Sequence, residues 1–203
     1  GYTYNDTKGI TEAADKDHTG DFDKDGFTEN AANLNLGINI RKGWKLSPYL
    51  RWSQLEGDLD YDAFADDKDY TYRNKNLQAG LRNEIKFGGN TIQLNYNYNN
   101  NERKYVNDSG FINPVAFDQY SSGKYTGKEH FAEALYAGNL CKSVQIVAGA
   151  DLRHSNTGQD YLSVSPFGNY TETVDKDLAK QTQYSGYASL LYTGKIFHAE
   201  AGG

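Results

Sequence analysis

Aspartates are crowded into two polar stretches of the chain. The first stretch holds Asp15, Asp17, Asp21, Asp23 and Asp25, and the second holds Asp60, Asp62, Asp66, Asp67 and Asp69. Carboxylates at such short spacing repel one another unless a hard cation neutralises them, and Ca²⁺ takes oxygen ligands. A calcium site is one hypothesis for these stretches, and a solvated acidic surface loop is the other.

The first stretch also matches the opening of an EF-hand loop, because Asp21, Asp23 and Asp25 alternate before Gly26. The last position of such a loop is a bidentate Glu, whereas the corresponding residue here is Ala32. No helical pattern flanks the stretch, so an EF-hand is excluded.

Other residue types with catalytic potential are isolated from one another. The four His residues are scattered without the spacing of metal ligands, and the single cysteine, Cys141, has no neighbouring base. The acidic pairs lie in polar stretches, where no apolar pocket would tune them for acid–base work. We therefore expect that the protein is not an enzyme.

Composition narrows the class of protein further. The chain has 203 residues, a net charge of -6 and 37% hydrophobic residues. No run of about 18 apolar residues predicts a membrane-spanning helix, and a pI near 5.2 argues against nucleic acid as a partner. The 17 Tyr and 21 Gly against only 3 Pro are typical of strands with one wet face, joined by turns. The absence of Met and of a signal peptide is expected of a processed or excised chain.

Strict alternation of apolar and polar residues is the clearest structural signal. Leu34, Leu36, Ile38 and Ile40 alternate with Asn and Gly residues, which is the period of a β-strand with two different faces. The same pattern returns over residues 77–87, 92–98 and 144–152.

Short and long connections alternate along the chain. Tight turns are predicted at Arg41–Gly43, Gly88–Asn90, Cys141–Ser143 and Thr193–Lys195. Long polar connections are predicted at residues 8–26, 58–70, 103–128 and 155–180. Short turns at one end and long loops at the other are typical of an outer-membrane barrel. We therefore predict an all-β fold, an antiparallel up-and-down transmembrane β-barrel segment of about nine strands, each roughly 9–15 residues long.

The two faces of the predicted strands suit lipid on one side and water on the other. Arg51, Arg82 and Glu84 lie on the polar face, which therefore needs water or a polar plug. Trp44 and Trp52 share the apolar face, about 19 Å apart along the membrane normal for a strand tilted by ~45°, which is close to the spacing of two aromatic girdles. The chain begins and ends in strand-like runs, and open strand edges in lipid are costly. Residues 1–203 are therefore expected to be one partial barrel domain, with further strands on both sides.

Short motifs in the acidic stretches and in the strands are specific enough to compare with known proteins. They are Asp23-Lys24-Asp25-Gly26-Phe27, Tyr61-Asp62-Ala63-Phe64 with Asp69 before the next strand, Gly1–Tyr4, Ser185–Tyr187 and Glu200–Gly203. Together these motifs resemble the β-barrel of TonB-dependent outer-membrane receptors, and within that family the vitamin B12 (cobalamin) receptors. The resemblance is diffuse over the whole chain and local only in the two acidic motifs.

The resemblance implies a fold, a function and a set of partners. It implies a barrel of about 22 strands around a plug, in the outer membrane of a Gram-negative bacterium. The barrel would take up a scarce nutrient, cobalamin in the first place, with energy supplied through TonB. The plug and the segment that contacts TonB are not expected in this chain, and the other partners are the lipid bilayer and, in some relatives, a surface lipoprotein. By motif match, calcium would bind Asp23, Asp25, Asp62 and Asp69 and order the loops for ligand capture.

Aromatic residues of the third polar stretch are candidates for a ligand mouth. Tyr105, Phe111 and Tyr120 are the residues that we predict to contact the ligand. Packing of this loop against its neighbours is an equally good explanation of the same residues.

Three other functions are compatible with the sequence. A ferric-siderophore or haem receptor would share the architecture, because the loops that contact the ligand are the part that transfers least between relatives. A passive porin-like channel would also have a charged lumen. A soluble all-β binding module is favoured by the mean hydropathy of -0.80 and disfavoured by the long loops at one end.

Overall fold

β-Strands account for the regular elements in the part of the chain that the structure describes. The computed structural model describes residues 1–16, 21–110 and 119–203. Its strands are β1 (Tyr2–Ile10), β2 (Asp25–Asn35), β3 (Ile38–Arg41), β4 (Trp44–Asp58), β5 (Tyr70–Phe87), β6 (Asn90–Asn107), β7 (Tyr120–Cys141), β8 (Val144–Ser165), β9 (Gly168–Val174), β10 (Lys180–Thr193) and β11 (His198–Gly202). Within these residues, no helix has the length and apolar character needed to cross a membrane.

The strands form one antiparallel sheet in which neighbours along the chain are neighbours in space. The order is β1-β2-β4-β5-β6-β7-β8-β10-β11, with β3 paired to β4 beyond the end of β2, and β9 paired to β8 beyond the end of β10. The eleven described strands therefore fill nine positions, and the prediction of an all-β, antiparallel up-and-down fold is confirmed. β1 and β11 are the two edges of the described sheet.

Tight turns gather at one end of the sheet. Lys42–Gly43 joins β3 to β4, and Lys142–Ser143 joins β7 to β8. Gly88 and Gly89 join β5 to β6 with φ angles of 52° and 83°, the left-handed values that a two-residue hairpin needs and that glycine adopts without strain. The connections at the opposite end span residues 11–24, 59–69 and 108–119. The predicted segregation of short turns from long loops is confirmed for these connections, whereas β8 and β9 are joined at the long-loop end by the two-residue turn Pro166–Phe167.

Four strands are longer than the predicted length. β5 and β6 have 18 residues each, and β7 and β8 have 22. Most of the stretch 155–180, which the sequence predicts to be a loop, is strand, because β8 continues to Ser165 and β9 folds back against it. Outside lipid, both faces of a strand are wet, so the apolar alternation fades although the backbone ladder continues.

None of the residues that the structure describes covers the apolar face of the sheet. The register pairs Leu34 with Leu50 and Leu50 with Ala79, so the alternating residues of successive strands meet on one surface. Leu34, for example, is 52% exposed. Among the described residues, the one apolar residue that is buried is Ala13, which lies in a loop. An exposed aliphatic face without a packed core is the arrangement of a barrel wall that faces lipid.

This lipid-type surface, which we name the apolar belt, runs from Trp44 to Trp52 on β4, from Ile92 to Tyr98 on β6 and from Val144 to Leu152 on β8. The edge of the apolar belt nearest the long loops shifts from β4 to β8, along the ladder, towards the tight turns. Trp52 is level with the residue two positions beyond Tyr98, and with the residue four positions beyond Leu152. Since ladder rungs run across the strands, this drift indicates that the strands are tilted in the bilayer, as in a barrel.

The opposite face, which we name the lumen face, is polar and carries charge. Glu133 accepts hydrogen bonds from Asn95 Nδ2 at 2.8 Å and from Tyr187 OH at 3.3 Å. The ring of Tyr49 lies across Gly80, its partner on β5, so that a Cβ atom at this position would overlap Tyr49 Cε1. The glycine thus lets an aromatic ring lie flat on the wall of the lumen.

Candidate metal centre and ligand mouth

The two acidic stretches lie side by side because their strands are neighbours. Residues 11–24 connect β1 to β2, residues 59–69 connect β4 to β5, and β2 pairs with β4. The backbone N–H of Ala14 donates to the carbonyl of Ala63 at 2.8 Å, and Lys68 Nζ donates to the carbonyl of Asp21 at 3.0 Å. We name this joined pair of loops the acidic junction.

Three carboxylates converge at the acidic junction. Asp23, Asp25 and Asp60 each offer an oxygen, and the three oxygens lie within 4.8 Å of one another. Asp25 is the first residue of β2 and is only 8% exposed. The Oδ1 atoms of Asp23 and Asp25 are buried and have no hydrogen-bond partner among the described residues. Two buried carboxylate oxygens that receive no hydrogen bond lie beside a third carboxylate. Together they form a set of oxygen ligands that suits a hard cation such as Ca²⁺.

Asp60 fastens the two loops to each other. Its Oδ2 accepts hydrogen bonds from the backbone N–H of Ala13 and from Thr11 Oγ1, both in the first loop. Its Oδ1 accepts the backbone N–H of Asp67 at 3.2 Å. Motif matching missed Asp60 as a ligand, although it belongs to the same crowded stretch as Asp62. A cation held by Asp60 would therefore couple the order of both loops.

The electrostatics of the acidic junction reflect burial of negative charge. Burial, together with the neighbouring charge of Asp60, raises the pKa of Asp25 to about 6, although a hydrogen bond from the Glu12 N–H opposes the rise. Burial and the neighbouring Asp23 raise the pKa of Asp66 to about 6. Lys68 Nζ lies 4.0 Å from Asp66 Oδ2, yet burial still holds the pKa of both carboxyls above the ordinary value. A divalent cation bound here would supply the further positive charge that favours their ionised form.

The structure does not bring Asp62 to the trio of Asp23, Asp25 and Asp60. Asp62 is exposed, and its Oδ1 accepts the backbone N–H of Phe64 at 2.7 Å, which closes a local turn. The geometry therefore gives Asp62 the role of shaping the loop that carries Asp60.

Asp69 lies in a second acidic group at the start of β5. Burial, followed by the nearby carboxyls of Asp108 and Asp67, raises the pKa of Asp69 to about 7. Asn107 Nδ2 donates to Asp67 Oδ2 at 2.7 Å, which ties the third loop to the second. Asp69 Oδ1 is buried without a hydrogen-bond partner among the described residues.

Tyrosines line the lumen face directly below these loops. The ring of Tyr105 on β6 lies 6.5 Å from that of Tyr72 and 6.2 Å, edge-on, from that of Tyr125. A cavity of about 450 Å³ is lined by Tyr61, Tyr70, Tyr105, Asn107, Ser121, Gly123, Tyr125 and Tyr161. Such a wall offers flat apolar faces and hydroxyl groups to a large planar ligand. The alternation of Tyr70 and Tyr72 within β5 was the available signal for these two residues.

One of the other two predicted ligand residues, Tyr120, is not at this wall. The register pairs Tyr120 with Val164, which puts Tyr120 on the face opposite to Tyr105. Phe111 lies outside the described residues, as does Asp17 of the first acidic stretch.

Comparisons with known proteins bear on the fold. No protein-family model matches the chain, and no curated protein matches it significantly. Among solved structures, the ferric-catecholate import receptor Fiu from K12 E. coli is similar, with a TM-score of 0.54 and 13% identity over 95% of this chain and 37% of that one.

Two other solved structures are less similar. The ferric yersiniabactin uptake receptor FyuA from Yersinia pestis has a TM-score of 0.40 and 11% identity, over 96% of this chain and 39% of that one. The translocator domain of the autotransporter NalP from Neisseria meningitidis has a TM-score of 0.45 and 9% identity, over 88% of this chain and 60% of that one. The chain thus spans about 37% to 60% of the length of the structures it matches. At these identities the likeness to Fiu establishes architecture, and the chain has the antiparallel up-and-down fold of outer-membrane β-barrel proteins.

Proposed function

We propose that this chain is part of the barrel of an outer-membrane receptor that takes up a scarce nutrient by TonB-coupled transport. The observation that carries the proposal is the acidic junction, which lies at the long-loop end of a sheet with one polar face. The acidic junction fastens two loops to each other, and a receptor needs such an ordered surface to capture its ligand. The remaining strands and the plug are supplied by other segments of the same receptor.

Calcium at the acidic junction is the second element of the proposal. Asp23, Asp25 and Asp60 supply the ligand oxygens, and Asp69 takes part in the adjoining acidic group. The next residue after Asp60 is Tyr61, which lines the tyrosine cavity. Cation binding therefore orders the loop segment that forms one wall of the ligand mouth, which links metal to ligand capture.

Cobalamin is the cargo that we propose in the first place. The support comes from the two acidic motifs and from the tyrosine wall, which suits a ligand with a large flat ring. Ferric siderophores are the second candidate, because the structurally similar Fiu is a ferric-catecholate import receptor. A surface lipoprotein over the mouth is a further proposed partner.

Calorimetric titration of the full-length receptor in detergent tests the function. Cobalamin should bind tightly with Ca²⁺ present and more weakly after chelation. The double variant Asp23→Asn/Asp25→Asn should lose the calcium dependence while the barrel still assembles. The matched control Asp175→Asn/Asp177→Asn changes the same charge in an exposed connection and should behave as the parent.

Two outcomes would contradict parts of this proposal separately. Absence of cobalamin binding with and without Ca²⁺ would remove the cargo, and the same titration with a ferric catecholate would then decide between cargoes. Ion conductance of the full-length protein in planar bilayers, without any signal that moves a plug, would favour a porin-like channel instead.

A further inference from the structure

The outward face of β5, β6 and β7 changes from apolar to cationic above the apolar belt. Arg73 on β5 is the ladder partner of Lys104 on β6, and Lys104 is the partner of Lys124 on β7. Arg73 is four residues from Leu77 on β5, and Lys104 is six residues from Tyr98 on β6, so each shares the face of that apolar residue. Lys124 lies on the same face because it is the ladder partner of Lys104. The three cations therefore form one row on the outside of the wall.

Like charges in direct register destabilise a sheet unless something neutralises them. At the ends of the row, Arg73 pairs with Glu56, and Lys124 Nζ lies 3.1 Å from Glu102 Oε2. Lys104 has a cation on each side, and it makes no ion pair with the described residues. An anion bound at the middle of the row would remove this repulsion.

Two further lysines extend the row towards the membrane. Lys75 lies two residues closer to the apolar belt than Arg73 on β5, and Lys128 lies four residues closer than Lys124 on β7. We name these five residues, Arg73, Lys75, Lys104, Lys124 and Lys128, the cationic patch. Among the described residues of β5, β6 and β7, one carboxylate, that of Glu102, lies on this face above the apolar belt. The five cations outnumber the two carboxylates that pair with them, Glu56 and Glu102, so the patch keeps a net positive charge in a chain whose net charge is -6.

The distance of the cationic patch from the apolar belt indicates which kind of anionic lipid can reach it. Lys75 stands two residues beyond Leu77, or about 5 Å above the belt at ~45° tilt, and Lys104 stands six residues beyond Tyr98, or about 14 Å. The headgroup layer of a bilayer is only about 5–8 Å thick on each side. A phospholipid phosphate thus reaches the lower lysines alone. A lipid whose sugar headgroup carries phosphates at more than one height reaches both levels.

The wall beside the row has room for such a headgroup. A cavity of about 730 Å³ is lined by Arg73 and Lys104 together with Lys8 and Lys24 of the first hairpin. The acids Asp6, Glu56 and Asp58 also line it, and of these Glu56 is already paired with Arg73. The cavity therefore offers cations for phosphate and carboxylates that accept hydrogen bonds from sugar hydroxyls.

We propose that the cationic patch docks a phosphorylated glycolipid of the outer leaflet, with Lys104 and its neighbours Arg73 and Lys124 binding sugar phosphates. The proposal rests on the proposed outer-membrane placement of the chain. It adds a lateral partner, on the face away from the transported ligand.

Native mass spectrometry of the full-length receptor in detergent, titrated with Kdo2–lipid A, tests this inference. The double variant Lys104→Gln/Lys124→Gln should bind about 25-fold more weakly, at about fivefold for each lysine near an anionic surface. Lys104→Arg/Lys124→Arg should bind as the parent does, because charge is retained. The matched control Lys42→Gln/Lys142→Gln removes two lysines from the turns at the opposite end and should have no effect. Lys128→Gln provides a single exposed change, with an expected fivefold loss, should the double variant assemble poorly.

Four results would overturn the inference. The first three are unchanged binding by Lys104→Gln/Lys124→Gln, equal binding of dephosphorylated lipid A, and equal binding of phosphatidylglycerol. Competition by millimolar inorganic phosphate would assign the patch to free phosphate and would also overturn it. Calcium-dependent ligand binding by the lysine variants, measured in parallel, separates failure of this inference from failure of the proposed uptake function.

Discussion

Replacing Asp25 with Asn should change the acidic junction in opposite directions with and without calcium. Burial and the neighbouring Asp60 raise the pKa of Asp25 from 3.8 to about 6. Because the folded pKa lies above the unfolded one, ionised Asp25 costs stability at pH above about 6, and the cost vanishes below 3.8. A shift of about two units corresponds to about 3 kcal/mol. Asparagine keeps an oxygen that accepts the Glu12 N–H and removes the charge, so the metal-free loops should gain up to this amount.

Hydrogen exchange of the Glu12 and Ala13 amides is the direct assay, since these N–H groups bond to Asp25 and Asp60. At pH 7.5 in EDTA, exchange in Asp25→Asn should be slower, by up to about 100-fold for 3 kcal/mol. With Ca²⁺, the parent should be protected strongly and the variant hardly at all. Asp177→Asn, an exposed control, should match the parent in both conditions. Faster exchange of the variant in EDTA, or equal protection of variant and parent by Ca²⁺, would refute the assignment.

Three further predictions follow from the same geometry. Calcium affinity, measured by calorimetry, should fall about tenfold between pH 7 and pH 5, because Asp25 with a pKa of about 6 is protonated at the lower pH and must lose its proton to bind; an affinity independent of pH would contradict this. Asp60→Asn should abolish the protection of the first loop by Ca²⁺ in hydrogen exchange, whereas Asp62→Asn should leave it intact; the reverse result would favour the motif over the geometry. Gly80→Ala should push the Tyr49 ring off the lumen wall and cost about 1 kcal/mol, seen as a lower midpoint of unfolding in urea; an unchanged midpoint would mean that the ring moves freely.

Sequence pattern predicted the fold well wherever lipid forces the two faces of a strand to differ. Leu34 and Ile38 pair with Leu50 and Leu46 of β4, so the register confirms that these alternating residues share one apolar face. The same reasoning failed above the belt, where β8 continues to Ser165 as a polar strand and residues 155–180 were predicted to be a loop. Water solvates both faces there, and the remaining determinant is backbone pairing, which leaves little trace in composition.

The candidate site was predicted by residue type more accurately than by position. Asp23 and Asp25 converge as the motif implies, but their partner is Asp60 rather than Asp62. The two differ by the path of a short loop, in which Asp62 turns outward to cap the Phe64 N–H. Tyr120 illustrates the same limit, because the side on which it lies depends on the residue at which β7 joins the ladder. Alternation assigns faces only after a register is known.

The continuous ladder between β7 and β8 makes the part of this hairpin above the apolar belt a long, rigid extension of the wall. Their pairing runs without interruption from Tyr120 and Val164 down to Asn139 and Gln145. From Leu152 at the edge of the belt, β8 rises a further thirteen residues to Ser165, about 30 Å along the membrane normal at ~45° tilt. A change in the inclination of the barrel is therefore magnified at the hairpin tip. A spectroscopic label at the exposed Phe167 would report that inclination as a displacement, even in a native membrane.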